Sequence, residues 1–526
     1  MTLAAKESFS DSKSAKLLKL SLIAFILVQP FFDCYYFYTE KLSAVIGFTI
    51  PPLASVLWIG AMVLFFFLCD LKGNLRKKSS VLLLIYLALA AVYFVIHHLT
   101  NTDFVSVSPD NYGYSMVHEA YYVVRMLMPF LVLFLTYELC ISKEEFYRCI
   151  EFICVVVTGV IVVSNLLCVS LSSYTNKTIS ANIFAWFTDA VDSYDAKELT
   201  SKGFFCYANQ TAALLMFLYP IVLYRMVSRF NVWRVALVLM HAVAMIMLGT
   251  QTSSYGVALE LVVFIAVVLF SAVLTKKINK AGIKKYLAPV ASLLVITVLI
   301  ITVLPNSPVV GKAIATEKLH EERAKTEKKL TEKDIDAYYK LSFEDRVEYM
   351  NDNFEKYSLQ WSYCKVAYPL DYDPDFWYEM MKQPIDTRFD FRYLESHIIT
   401  AVVETNDDPM DKLFGISATR ETNICKLEHD YLAQYYSLGA VGVVVFMAPY
   451  IIFALWYSLR SLFKRNWENI FENLSLAMAL DILLLVGYVT GNCLDVLFTT
   501  VVMGLFLGRM LLNIKDSKGG KEVEQH

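Results

Sequence analysis

The sequence predicts an all-α membrane bundle of about twelve transmembrane helices, with one large, mostly helical extracytoplasmic domain between the ninth and tenth. Three observations predict it. Of 526 residues, 57% are hydrophobic and 18% charged, where soluble proteins carry roughly a quarter charged residues, and the mean hydropathy is +0.48. The apolar residues fall in long unbroken runs. The charge is concentrated in residues 306–426, which hold 17 Lys+Arg against 24 Asp+Glu, a net −7. Disordered, coiled-coil and disulfide-stapled classes are excluded by this balance.

Crossing a hydrocarbon core of ~30 Å takes roughly 20 apolar residues as helix. Twelve runs qualify: 17–37, 45–69, 80–99, 116–138, 150–171, 207–227, 233–250, 254–275, 286–305, 437–459, 471–490 and 493–513. The alternating pattern of a membrane barrel is missing. Placing the N-terminus in the cytoplasm puts 25 Lys+Arg in the tails and alternate loops, while loops 100–115 and 250–253 have none. That asymmetry is the positive-inside signature, and it predicts two cytoplasmic termini. The first span follows a polar tail and lacks a small-residue cleavage site, so it is expected to stay as an anchor. The expected organisation is helices one to nine over 1–305, an extracytoplasmic domain over 306–436, helices ten to twelve over 437–513 and a cytoplasmic tail, 514–526.

No glycine-rich phosphate loop precedes a soluble helix. The lysines are explained by topology and anionic lipid rather than nucleic acid. Most of the ten cysteines, such as Cys69, Cys154 and Cys168, lie in or beside spans, where free Cys acts as a small hydrophobe. Cys364 and Cys425 share the outer block and are a candidate pair. No Cys/His cluster has metal-ligand spacing.

Ionisable groups inside spans are costly and mark candidate sites. Arg125 lies mid-way along the fourth span below His118, Glu119 and Tyr122; Glu260 and Asp481 lie in the eighth and eleventh. Either Arg125 is neutralised by Glu260 or Asp481, or it forms the floor of an anion-binding cavity. His241 in the seventh span reads as a packing histidine. At the outer helix ends, Asp33 closes the first span, and Gly203-Phe204-Phe205-Cys206-Tyr207-Ala208-Asn209 opens the sixth, where Asn209 is a candidate helix cap facing an anion. Ser254 belongs to a hydroxyl-rich turn that opens the eighth.

In the outer block, 312–360 reads as solvated helix, and 361–385 is aromatic and acidic, broken by Pro369, Pro374 and Pro384; a lid and a sugar platform both fit it. Arg388 and Arg392 are spaced one helical turn apart, and Arg420 and Glu428-His429-Asp430 follow before the tenth span. Guanidinium forks suit phosphate oxygens, and an imidazole serves as a general base near neutral pH.

The segments Leu413-Phe414-Gly415, Glu428-His429-Asp430-Tyr431-Leu432, Gly439 and Gly442, together with Gly203-Phe204 and Ala208-Asn209-Gln210-Thr211-Ala212-Ala213, resemble the bacterial O-antigen ligase/polymerase superfamily. The resemblance covers nearly the whole chain in topology and rests on the order of short motifs. It implies a C-type glycosyltransferase fold in the cell membrane, and metal-independent, inverting transfer of a glycan from undecaprenyl pyrophosphate to an acceptor hydroxyl, without cofactor. The implied partners are a lipid-linked glycan donor, a glycan or lipid-glycan acceptor, membrane lipid and a polysaccharide assembly complex. Through it His429 matches the histidine proposed to activate the acceptor, Arg388 the arginine near the end of the outer block, and Gly203 and Asn209 the donor-site helix start. The family often has Ser-Arg-Gly where this chain reads Ser254-Tyr255-Gly256. Either Arg125, Arg388, Arg392 or Arg420 supplies the cation, with Asp33, Glu428, Asp430 and Ser254 in support, or this branch uses a different donor or is a degenerate, non-catalytic member. The competing reading is a lipid-linked oligosaccharide flippase or a proton-coupled transporter using Arg125, Glu260 and Asp481.

Overall fold

The computed structural model describes residues 12–35, 39–107, 111–188, 195–274, 280–327, 330–463, 469–491 and 493–523. Among the orientation residues, Lys6, Lys276, Lys277, Lys464 and Arg465 lie outside these, as do the expected span ends 36–37 and 275. The described chain is helical. It begins with α1 (Lys13–Tyr35), α2 (Glu40–Ile46), α3 (Ile50–Cys69), α4 (Leu71–Leu75), α5 (Lys78–Asn101), α6 (Met116–Glu138) and α7 (Lys143–Leu166). Next come α8 (Ala208–Ser228), α9 (Val232–Met247), α10 (Gln251–Leu274) and α11 (Lys280–Val303). The charged block forms α12 (Pro308–Thr326), α13 (Glu332–Tyr338), α14 (Phe343–Asn353), α15 (Pro374–Lys382), α16 (Ile385–Phe389), α17 (Phe391–Asn406), α18 (Pro409–Phe414) and α19 (Ala418–Ile424). The chain ends in α20 (Asp430–Phe446), α21 (Ala448–Phe463), α22 (Ile470–Val489) and α23 (Leu497–Val523).

Among the described residues, ten helices are long and apolar enough to cross a membrane, and the bent pair α20–α21 makes an eleventh span if counted as one. The remaining expected run, 233–250, forms the apolar but shorter helix α9. There the apolar run outlasts the helix: α9 has 16 residues, and Gly249, at φ +65°, turns the chain. Hydropathy does not register a left-handed glycine.

Two compact units divide the chain. One comprises 1–87, 124–312 and 450–526; the other comprises 88–123 and 313–449. The boundary falls inside α5 and α6.

In the first unit, α8 is apolar around its circumference, so it must be enclosed. It packs against α7, α9, α10, α22 and α23, and 89% of its apolar window is buried, against 22% for α3. α7 starts on a capping box in which Ser142 and Glu145 satisfy each other's backbone amides.

In the second unit, Trp377, Tyr378, Tyr368, Leu370, Ile398 and Val402 form a core that also takes Phe104 and Tyr112 from the loop before α6. Pro374 sits at the first turn of α15, where a missing N–H costs nothing, so this proline starts a helix as well as ending a loop. The expected helix over 312–360 is three helices, α12 to α14. Arg388 and Arg392 are not on one helix. Asp390 caps α17 by accepting from the Arg392 and Tyr393 amides, leaving Arg388 on α16.

Candidate active site

A polar stripe on α5 begins the site in the second unit. Tyr93, His97 and Asn101 recur every fourth residue, so they share one face. The Tyr93 hydroxyl donates to the Leu438 carbonyl at 2.6 Å. His97 sets Nδ1 2.6 Å from the Phe414 carbonyl and Nε2 3.0 Å from Glu119 Oε1. Both His97 and Glu119 are fully buried. Glu119 also accepts from the Ala418 amide at 3.1 Å, the Thr419 amide at 3.3 Å and the Thr419 hydroxyl at 3.2 Å. One carboxylate thus fastens the loop that enters α19.

That loop lies against the break in α20. Ile416 and Ser417 amides donate to the Tyr436 and Ser437 carbonyls at 2.8 and 3.1 Å. Gly439 breaks the helix at φ +68°, and Gly415 sits at φ +80°. A Cβ on Gly415 would lie 2.4 Å from the Ser437 carbonyl oxygen, and one on Gly439 would lie 2.4 Å from Leu413 backbone. Backbone cannot retreat from such contacts, which gives the glycines of the Leu413-Phe414-Gly415 and Gly439 motifs their physical reason.

Arg420 is buried under this loop. Its guanidinium donates to Asn101 Oδ1 at 2.7 Å, to the Asn101 carbonyl at 3.0 Å and to the Asn111 carbonyl at 3.3 Å, and lies 4.4 Å from the Phe104 ring centre. Burial pulls its pKa down to about 10, opposed by Tyr114, Asp411 and Glu119, so it stays charged at neutral pH. Arg388 is buried too. It grips both Glu327 oxygens at 2.6 and 2.8 Å and bonds the Tyr357 carbonyl. Neither arginine is presented to solvent. Arg392 is one-third exposed and meets Glu428 at 3.4 Å.

His429 follows Glu428. It is the N-cap of α20 with extended backbone, φ −125° and ψ 104°, and its imidazole makes no capping bond. The ring is half-buried, whereas neighbouring Asp430 is buried. Gln434, one turn on, donates to the Tyr122 hydroxyl at 2.7 Å.

The first unit holds the remaining expected residues. Tyr207, not Asn209, occupies the N-cap of α8, because the cap must have extended backbone and Asn209 is already helical. Tyr207 provides no side-chain cap. Gly203, at φ +65°, approaches Val160 and Ile161 too closely for a Cβ. Asp33 accepts from the Cys206 amide at 3.1 Å. Ser254 is buried near the start of α10, its hydroxyl without a partner among the described residues. Arg125 donates to the Asp495 carbonyl at 2.7 Å, and Asp481 accepts from Ser458 at 2.9 Å.

The sequence profile of the O-antigen ligase like membrane protein family matches residues 15–517. The chain belongs to this family. The comparison with curated proteins found no match. Membership makes it a multi-pass membrane protein of a family that works in glycosyl transfer for cell-surface polysaccharide synthesis.

For an O-antigen ligase-like protein lacking the usual Ser-Arg-Gly arginine, Lys202 is the notable residue that sequence reasoning missed. It is 2% exposed. Its ammonium donates to Asn176 Oδ1 and, at 2.9 Å, to the Cys206 carbonyl. Burial pushes its pKa below the usual lysine range, while Cys206 and Asp33 oppose this. The Ser201 amide bonds the Met247 carbonyl at 2.7 Å, placing this segment beside the turn into α10. A lysine beside a glycine in a loop gives no sequence signal of burial.

Glu395 is a second such group. It is 7% exposed, accepts from the Tyr363 hydroxyl at 2.6 Å, and has an Oε2 with no hydrogen bond among the described residues. Burial raises its pKa to about 7; the Tyr363 bond opposes this and the Glu428 charge adds to it. The folded ligase-like chain therefore holds this proton more tightly than the unfolded chain. The resulting stabilisation is full below the ordinary value of 4.5 and is lost as pH rises towards about 7. Thermal unfolding of wild type should lose ground to Glu395→Gln across that window, and parallel pH profiles for the two would refute this.

Proposed function

We propose that this O-antigen ligase-like protein transfers a glycan from undecaprenyl pyrophosphate to an acceptor hydroxyl, at the outer face of a bacterial cell membrane and with both termini cytoplasmic. The observation that carries the reading is the position of His429, a half-buried imidazole at the extended residue that opens the broken helix α20. His429 takes the proton from the acceptor hydroxyl, the oxygen attacks the anomeric carbon, and the bond to pyrophosphate breaks on the opposite face. The anomeric configuration inverts, and undecaprenyl pyrophosphate leaves.

Lipid pyrophosphate is a good leaving group, so the protein's task is to neutralise growing negative charge in a water-poor site. Arg388 and Arg420 are assigned to holding the outer unit together, since Glu327 and the Asn101 oxygens take their donors. In the second unit the charge is assigned to Arg392, whose 3.4 Å pair with Glu428 is partly exposed; in the first unit, Lys202, Arg125 and the start of α8 are assigned to donor binding.

Purified protein in vesicles, given lipid-linked glycan, should form a new glycosidic bond and release undecaprenyl pyrophosphate. Movement of the glycan across the bilayer without a new bond would replace this reading with a flippase. Lys202→Met keeps the side-chain length and removes the charge. It should lower kcat/KM for the donor about tenfold, the ~1–2 kcal/mol that a unit charge exerts over roughly 10 Å at an effective dielectric near 20. An unchanged donor kcat/KM would remove Lys202 from the donor site.

A further inference from the structure

Glu260 on α10 is 3% exposed, and neither of its carboxyl oxygens has a hydrogen-bond partner among the described residues. A buried carboxyl in that state demands an occupant or a proton, because an unsatisfied polar group in hydrocarbon costs several kcal/mol. Its surroundings follow from the packing of α8, α9 and α10. Since α9 reverses the chain, α8 and α10 run the same way, and Gly256 on α10 lies against Met216 on α8. One turn further along both helices brings Glu260 beside Tyr219 and Pro220; Glu260 lies within electrostatic reach of the Tyr219 hydroxyl. Pro220 has no N–H, so the Met216 carbonyl loses its helical donor. The His241 ring centre lies 4.8 Å from that of Tyr219, whose hydroxyl donates to the Val238 carbonyl at 3.5 Å and keeps its acceptor lone pairs. His241 Nε2 meets the Leu215 carbonyl at 2.9 Å, leaving Nδ1 an acceptor with no partner among the described residues.

The open valences here are acceptors: two carboxyl oxygens, a backbone carbonyl and an imine nitrogen, with a phenol among them. The other described charged side chains on α8, α9 and α22 are engaged elsewhere. Arg225 and Arg234 bond Glu151, Glu472 bonds Lys143 and Tyr147, and Asp481 bonds Ser458. The geometry points to an intramembrane site for a small monovalent cation, a proton or a sodium ion, formed by Glu260, Tyr219, the Met216 carbonyl and His241. The site stands independently of the glycosyl-transfer reading.

Dicyclohexylcarbodiimide separates the occupants, because it adds only to a protonated carboxyl: the acid proton passes to a carbodiimide nitrogen, the carboxyl oxygen bonds the central carbon, and the adduct rearranges to an N-acylurea. The whole protein, purified in detergent, is labelled in sodium and in choline chloride across a range of pH, and the Glu260 peptide is followed by mass. Labelling that sodium slows about tenfold, as when ~10 times the dissociation constant leaves about a tenth of sites empty, identifies sodium. Labelling that grows as pH falls and ignores sodium identifies a proton. Thermal unfolding of wild type and Glu260→Gln in both salts is the second readout, and a sodium-dependent midpoint that Glu260→Gln lacks supports the site. An unmodified Glu260 at every pH, with unfolding of both proteins indifferent to sodium, overturns it.

Discussion

Replacing His429 with alanine is expected to abolish glycan transfer, lowering the rate roughly 10²–10⁴-fold, the usual contribution of a positioned general base. The protein should remain in the membrane at its normal level. The imidazole makes no capping bond to α20, and the backbone role of His429, accepting from the Ala433 amide at 2.8 Å, survives the substitution. The loss should fall on kcat more than on donor KM, and substrate-level binding of the lipid-linked glycan should persist. Transfer at the wild-type rate by a correctly inserted His429→Ala protein would strip the residue of its role.

Glu119→Ala should produce the largest loss of stability. It removes the acceptor for His97, for two amides and for the Thr419 hydroxyl together. Each buried donor left without an acceptor costs about 1–3 kcal/mol, and the His97 ring, two amides and a hydroxyl are orphaned together. The segment 413–427 should then become the first point of protease attack, while the helices of the first unit stay protected. Glu119→Gln keeps the shape and one acceptor oxygen, and should fall between. Wild-type unfolding and an unchanged cleavage pattern in Glu119→Ala would show that the loop is fastened elsewhere.

The helical membrane architecture was legible because burial in lipid demands long apolar runs, and such runs are a local property of sequence. Glu119 drew notice as a charge in a span, but besides His97 its partners were hidden more than 290 positions away, in the loop at Ala418 and Thr419. The Tyr93, His97, Asn101 stripe was legible in principle, since polar residues at four-residue intervals on an apolar helix imply a buried polar face. Arg388 and Arg392 misled because spacing cannot show that Asp390 ends one helix and starts the next. Lys202 left no mark, since its burial comes from Asn176 and Cys206 folding over it. The helix cap was placed at Asn209, two residues too far into α8, because composition does not say which residue takes extended backbone.

The second unit is discontinuous, and this bears on any attempt to isolate it. A soluble fragment cut from the charged block, at 313–449 or at the hydropathy boundaries, would leave behind Phe104 and Tyr112 of its aromatic core and the Asn101 oxygens that hold Arg420. The guanidinium would then be stranded in an apolar interior. Fragment expression, antigen design and domain grafting therefore need the ends of α5 and α6 with the block, joined by a designed linker, or the intact membrane protein.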